Sequence, residues 1–300
     1  MKKLIFASTL LLALFACSDE EKQAETISFK NEKEKLSYVL GAMNAQTISR
    51  SQESSFANLD KEELIKGFNS NLSDVNADAC LETLKKLFGP TYQDFNKAYV
   101  KEGSLCMGRM TGHAFYVDIK KLGGLEMVDL NLVKKGYADG LYRRDTIIKE
   151  AEMRNMMQTF MTGLNVKNGD KMLESARNEA GAQVFENGIV MRTIKEGKGA
   201  MPSPQSDVKV HYVLMSAMGD TIQDSKKMKN QQGISEPIAL KLNGGVIPGW
   251  TYSIPKMKKG GTYRIYIPWN LAYGEEAGKE SLCFDVELID FAPEGTFVKN

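Results

Sequence analysis

The segment from Asp60 to Leu72 recurs 69 residues further along the chain. Asp60, Leu64, Gly67, Phe68 and Leu72 are matched in order by Asp129, Val133, Gly136, Tyr137 and Leu141, and Lys66-Gly67-Phe68 returns as Lys135-Gly136-Tyr137. A block upstream behaves alike: Ser37, Leu40, Gly41 and Met43 find Ser104, Met107, Gly108 and Met110 at an offset of 67. Two inserted residues between the blocks reconcile the offsets. Chance periodicity reproduces spaced apolar residues, but not a Lys-Gly-aromatic step at a fixed distance after an Asp. The chain is therefore read as two copies of one helical unit, near residues 31–99 and 100–165.

Local signals make the unit helical. Asp60 is placed to cap a helix, Glu63 to reach back as in a capping box, and Leu59 to staple onto Leu64. Leu64, Phe68 and Leu72 then form an i, i+4, i+8 stripe. The helical pattern continues to about residue 183. Its last part, 145–182, reads as a long helix carrying Ile147, Ile148, Met153, Met156, Met157, Phe160, Met161 and Leu164. The run Asn165-Val166-Lys167-Asn168-Gly169-Asp170 is expected to interrupt it, because Asn, Gly and Asp favour turns. Flexible Met can line an adaptable surface, but Met at helical spacing reads first as core.

The N-terminus has a different character. Lys2 and Lys3 precede an apolar run, Leu4 to Ala16, of the length of a signal-peptide core. The run ends in Leu14-Phe15-Ala16-Cys17 and turns polar at Ser18-Asp19-Glu20-Glu21. This resembles a bacterial lipobox, with residues 1–16 as leader, lipid on Cys17 and 17–30 as tether. An ordinary signal peptide with an incidental Cys is the plainer alternative; the position of Cys17, after a small residue where the apolar run stops, favours lipid. Several acyl chains at about 0.8 kcal/mol per buried CH₂ anchor firmly. The resemblance implies a bacterial cell envelope location, lipid-anchored at the outer membrane, on its periplasmic side or at the cell surface. Cys80, Cys106 and Cys283 remain, an odd number that leaves at least one free thiol. Cys80 and Cys106 are open to pairing, and no CxxC supports redox catalysis.

From Gly188 the period changes. Val208 to Val213, Tyr263 to Ile267 and Phe284 to Leu288 alternate as half-buried strands, with Gly and Pro marking turns between them. The fold class is α+β: a helical N-terminal domain at 31–183, then a curved antiparallel sheet at 184–292 and a short tail, 293–300. A net charge of +1 argues against nucleic acid as partner. His113 and His211 are too few and too far apart in the chain for a metal centre, and no glycine loop with Lys-Ser/Thr cradles a phosphate. No cofactor is expected.

The motifs go further than the alternation. Asn187-Gly188-Ile189-Val190, Val210-His211-Tyr212, Thr221-Ile222-Gln223-Asp224-Ser225, Val246-Ile247-Pro248-Gly249-Trp250, Pro255 to Gly261, Leu271-Ala272-Tyr273-Gly274 and Leu282 to Leu288 follow one another across about a hundred residues. In this order they resemble the FKBP-type peptidyl-prolyl cis-trans isomerases. The helical half, through Lys35 to Gly41 and Asp60 to Phe68, resembles the macrophage infectivity potentiator type of that family. The resemblance implies a sheet wrapped on one short helix. It implies Trp250 as pocket floor, with Val246, Ile247, Phe284, Ile238 and Ile222 around the substrate proline. It also implies Tyr273, Asp224 and Tyr212 as catalytic walls. Each residue has a bland reading too: Trp250 as core, Tyr212 as a strand-face aromatic, Asp224 as a turn residue.

The partners implied are proline-containing polypeptide clients, and the membrane through Cys17. The resemblance also implies a homodimer through the helical domain, or a second helical unit that takes the partner's place. Two departures bear on activity. Gln223 stands before Asp224 where the family carries Phe, and Ile222 is expected to take that role through a bulge. The loop from Glu275 to Ser281 is short, so the usual pocket cover is expected to be missing. A catalytically weak chaperone or binding module, and an envelope scaffold lipoprotein, are the alternatives to an isomerase.

Overall fold

The structure is a computed structural model that describes residues 27–299 except 51–53, 71, 231 and 232. The expected leader and Cys17 lie outside the described residues. The helical half contains α1 (Glu32–Ser49), α2 (Ser54–Ala57), α3 (Lys61–Phe68), α4 (Ala77–Phe88), α5 (Val100–Lys121), α6 (Leu130–Leu141) and α7 (Glu150–Arg177). The other half contains β1 (Ala182–Val184), β2 (Val190–Lys195), β3 (Asp207–Met215), β4 (Thr221–Asp224), β5 (Ile238–Lys241), α8 (Pro248–Ser253), β6 (Thr262–Ile267) and β7 (Leu282–Ala292).

The two helical copies cross. α1 of the first copy packs on α6 of the second, and α3 of the first packs on α5 of the second. Glycine permits both crossings. A Cβ on Gly41 would collide with the Val133 carbonyl, and one on Gly136 with the Tyr38 carbonyl. The other crossing repeats this, with Gly108 against the Leu64 carbonyl and Gly67 against the Leu105 carbonyl. The obstacles are backbone atoms, which cannot step aside as a flexible side chain can.

The caps are crossed as well. Asp60 accepts from the N–H groups of Glu62 and Glu63 at 3.0 and 3.1 Å. Glu63 does not return the favour as a capping box would; the Asp60 N–H instead donates to Ser104 Oγ on α5 at 2.9 Å. The second copy matches: Asp129 accepts from Asn131 N at 2.8 Å and donates its own N–H to Ser37 Oγ on α1 at 2.8 Å. α4 lies on α5, and the start of α7 lies on α1. Cys80 and Cys106 meet sulfur to sulfur at 2.7 Å between α4 and α5, both as free thiols.

α7 corrects the expectation of a break at 165–170, since it runs through them without interruption. The turn-forming residues there are used for contacts instead. Asn168 Nδ2 donates to the Leu122 carbonyl at 3.1 Å and Asn165 Nδ2 to the Gly278 carbonyl at 3.0 Å. Gly169 lets Ser281 approach; a Cβ there would stand 2.5 Å from the Ser281 hydroxyl. Tertiary partners thus override local turn preference. The methionines divide. Met153 is core, whereas Met43, Met110, Met157 and Met161 are partly buried and line a cleft of about 1050 Å³ between the helices and the β3–β4 hairpin.

The sheet runs β1-β2-β6-β7-β3-β4 with every neighbour antiparallel, and β5 pairs with the first half of β3. Alternation then sets two faces. Val208, Val210, Ile265, Phe284, Val286 and Leu288 join the core under α8 with Trp250, Ile254 and Met257. On the opposite face Val190, Tyr266 and Cys283 receive Leu173 and Ala176 from the end of α7. Arg264 and Asp285 form a two-pronged pair at 2.6 and 2.7 Å across β6 and β7.

Candidate active site

Pro248 opens α8, where its missing N–H has no helical partner to lose. Gly249 follows because a Cβ there would stand 2.5 Å from Ile267 Cγ2. That close seat brings Trp250 down against the sheet, where it is 4% exposed. Its ring meets Phe284 of β7 edge-on at 5.2 Å and Tyr212 of β3 edge-on at 5.4 Å, and Tyr212 and Phe284 meet at 6.1 Å. Such edge contacts suit the aromatic quadrupole.

These three rings form the base of an open pocket of about 440 Å³. Val246 and Ile247 close one side, Ile238 and Leu240 of β5 another, and Leu214 and Gln223 a third. Tyr273 stands at the rim, 61% exposed. The Tyr212 hydroxyl donates to Gln223 Oε1 at 2.9 Å. Burial, then the neighbouring Tyr273, pushes the Tyr212 phenol above its ordinary value. The polar groups of the lining are therefore two phenols, one amide and the Trp250 indole N–H, and among the described residues no carboxylate or cation joins them.

An open, aromatic-floored pocket with neutral polar groups at its wall and rim matches what the sequence of this half resembles. The sequence profile of the FKBP-type peptidyl-prolyl cis-trans isomerases matches residues 198–289. The FKBP-type peptidyl-prolyl cis-trans isomerase FkpA of Escherichia coli O6:H1 is 28% identical over 309 residues, covering 97% of this chain and 91% of that protein. The peptidyl-prolyl cis-trans isomerase Mip of Coxiella burnetii is 31% identical over 207 residues, covering 62% of this chain and 84% of that protein. The chain belongs to the FKBP-type peptidyl-prolyl cis-trans isomerase family. The outer membrane protein MIP of Legionella longbeachae is also similar, 26% identical over 184 residues, covering 54% of this chain and 76% of that protein.

Among the FKBP-type site residues expected from sequence, Tyr212, Ile238, Val246, Ile247, Trp250, Tyr273 and Phe284 surround the one pocket. Asp224 and Ile222 do not line it, and one register explains both. Gln223 pairs with Leu214 and Asp224 with Val213. Gln223 thus shares the pocket face with Leu214 and Tyr212, and its neighbours point away. Asp224 caps the following turn, accepting from Lys226 N at 3.0 Å, with Lys227 Nζ 3.7 Å away. A bulge does occur, between Leu214 and Met215, but it turns Ile222 out into the cleft beside the helices. Gln223 was missed as a wall residue. The signal for it was the alternation from Tyr212 and Leu214, which outranks the match of a single Asp.

The loop from Glu275 to Ser281 contributes nothing to the pocket lining. It leans on α7 instead, through the Gly278 carbonyl and Ser281. Ser281 Oγ also accepts from Trp269 N at 3.1 Å, which ties the loop's far end to the turn that precedes Tyr273.

Proposed function

We propose that this isomerase works on exported polypeptides, seating the substrate proline on Trp250 and stabilising the twisted peptide bond without an ionised group. The observation that carries this is the pocket itself: an edge-packed aromatic floor, apolar flanks and phenol hydroxyls at wall and rim. Rotation about an X-Pro bond crosses a barrier of about 18–20 kcal/mol because it breaks amide resonance. The planar bond is the more charge-separated form, so stripping water from it favours the twisted one. Tyr273 presents its hydroxyl to the substrate carbonyl. Tyr212, oriented by Gln223, forms the opposing wall.

The test is a proline-limited refolding assay with Trp250→Ala and Tyr273→Phe. Acceleration by the natural chain, lost with Trp250→Ala and reduced with Tyr273→Phe, is the expected result. Equal rates for all three would overturn these assignments. The envelope location draws on the lipobox-like stretch ending at Cys17 and on the similarity to the outer membrane protein MIP. Lipid on Cys17 is checked by the mass of the mature N-terminal peptide, and an unacylated Cys17 would remove the anchor from this reading.

A further inference from the structure

We propose that the surface by which one helical unit binds another is already filled by the chain's own second unit, so that the protein is a monomer with one isomerase domain. Its helical base is a pair closed within a single chain. This holds whether or not the assignments at the pocket are right, because it stands on the helical half alone.

The pairing is reciprocal. Tyr38 and Ala42 of α1 face Gly136 of α6, and Leu105 and Arg109 of α5, each 67 residues on from those two, face Gly67 of α3. Val133 and Tyr137 of α6 face Gly41, and Leu64 and Phe68 of α3, each 69 residues earlier, face Gly108. The Ser37–Asp129 and Ser104–Asp60 bonds repeat the same exchange. Two units related in this way form a pseudo-twofold dimer. In such an isologous contact each patch is used once by its mate. A second chain would find the Gly41, Gly67, Gly108 and Gly136 surfaces already in backbone contact.

Tethering decides which mate wins. Units joined in one chain see each other at an effective concentration that reaches the millimolar range for short linkers. A copy from another molecule competes at its bulk concentration. The symmetry is broken most plainly where each unit ends. α4 takes on α5 the place that the start of α7 takes on α1, but α4 stops at Phe88 with Gly89 in a positive-φ turn, while α7 runs on to Arg177 and the sheet. One arm is cut short and the other carries the isomerase domain.

Sedimentation equilibrium of the mature chain across roughly 1–100 µM tests this. A single-chain mass, constant with concentration, is expected. A doubled mass, or one that rises with concentration, overturns the proposal. A second measurement separates intrachain pairing from a strand exchange between two chains. Cys80 on α4 and Cys106 on α5, one in each unit, stand sulfur to sulfur at 2.7 Å. In a background with Cys17 and Cys283 as serine, this natural pair is oxidised with a soluble disulfide. The expected product runs as a single chain on a non-reducing gel and shows the bridged peptide by mass. A linked dimer shows that the pairing is between molecules and sinks the idea.

Discussion

Phe68 and Tyr137 stack face to face, with ring centroids 3.8 Å apart and planes 7° from parallel. They hold equivalent places in the two helical copies and both are fully buried. The Tyr137 hydroxyl has no hydrogen-bond partner among the described residues, and burial holds its pKa well above the usual phenol value. A buried hydroxyl left without a partner costs about 1–3 kcal/mol. Tyr137→Phe removes it and makes the pair chemically identical. Its expected effect is unchanged stability, or a gain of about 1 kcal/mol. Phe68→Ala should instead lose about 3–5 kcal/mol. Urea unfolding followed by far-UV circular dichroism measures both, and a loss above about 1 kcal/mol for Tyr137→Phe would contradict the account.

The offsets are legible because the residues at matched positions repeat their type. Which residues touch is not, since an offset relates positions and says nothing of contacts. Ser37 and Ser104 matched in the two copies without a visible reason. The reason is a hydrogen bond to the cap residue of the other copy. Most of the pocket was legible because Val246 to Trp250 and the strands occur in order. Asp224 and Ile222 went astray because a one-residue slip exchanges the faces of a strand, and a bulge leaves no mark in composition. Asn165 to Asp170 misled because its turn preference is met by partners distant in sequence.

The glycines of the crossings should tolerate nothing larger. Gly41→Ala and Gly136→Ala each push a methyl into a carbonyl of the opposite copy. Overpacking of this kind costs typically about 1–3 kcal/mol and more where backbone must move, so about 3 kcal/mol or more is expected at both. Gly163 lies within α7, and no atom of the described residues comes within 4 Å of an added Cβ. Gly163→Ala should therefore raise stability by about 0.5–1 kcal/mol. Thermal melts of the three variants decide the matter; similar costs at all three positions would show that the helices do not meet where described.

Tyr212 and Gln223 should act as one unit. Removing either end of a neutral hydrogen bond loses about 0.5–1.5 kcal/mol, or roughly 2–10-fold in rate. Tyr212→Phe and Gln223→Leu are each expected to lower kcat/KM by that factor. The double variant should be little worse than the poorer single one, because the second change has no bond left to break. Additive losses in a peptide isomerisation assay would mean that the bond has no role. The same wall makes a statement about pH. Its acceptor is an amide, and the Asp224 carboxylate is turned to Lys226 N, so kcat/KM should be flat from about pH 5 to 9, well below the ordinary phenol pKa near 10. Gln223→Glu should introduce a dependence in the carboxylate range.

Alkaline conditions should destabilise the fold, and the sign follows from groups that titrate late. Burial pushes the Cys283 thiol up to about 12, and burial followed by its bond to Glu179 pushes the Tyr266 phenol up to about 12. In an unfolded chain these groups titrate near 8.5 and 10. Between those values and the folded ones, the unfolded state has released protons that the folded state still holds. A raised pKa of this kind contributes stability that is fully present below the unfolded value and is lost as pH rises toward the folded one. Urea midpoints should hold steady up to about pH 8 and fall progressively from there toward pH 12. Burial, then the bond to Cys106, pushes the Cys80 thiol up to about 12 as well, so Cys283→Ala should remove only part of the earliest decline and Cys80→Ser with Cys283→Ala the rest of it. In the native protein the Cys283 thiol should also resist iodoacetamide at pH 8, since the thiolate is the reactive form. Rapid alkylation there would show that the Val190–Tyr266–Cys283 face is not sealed by α7.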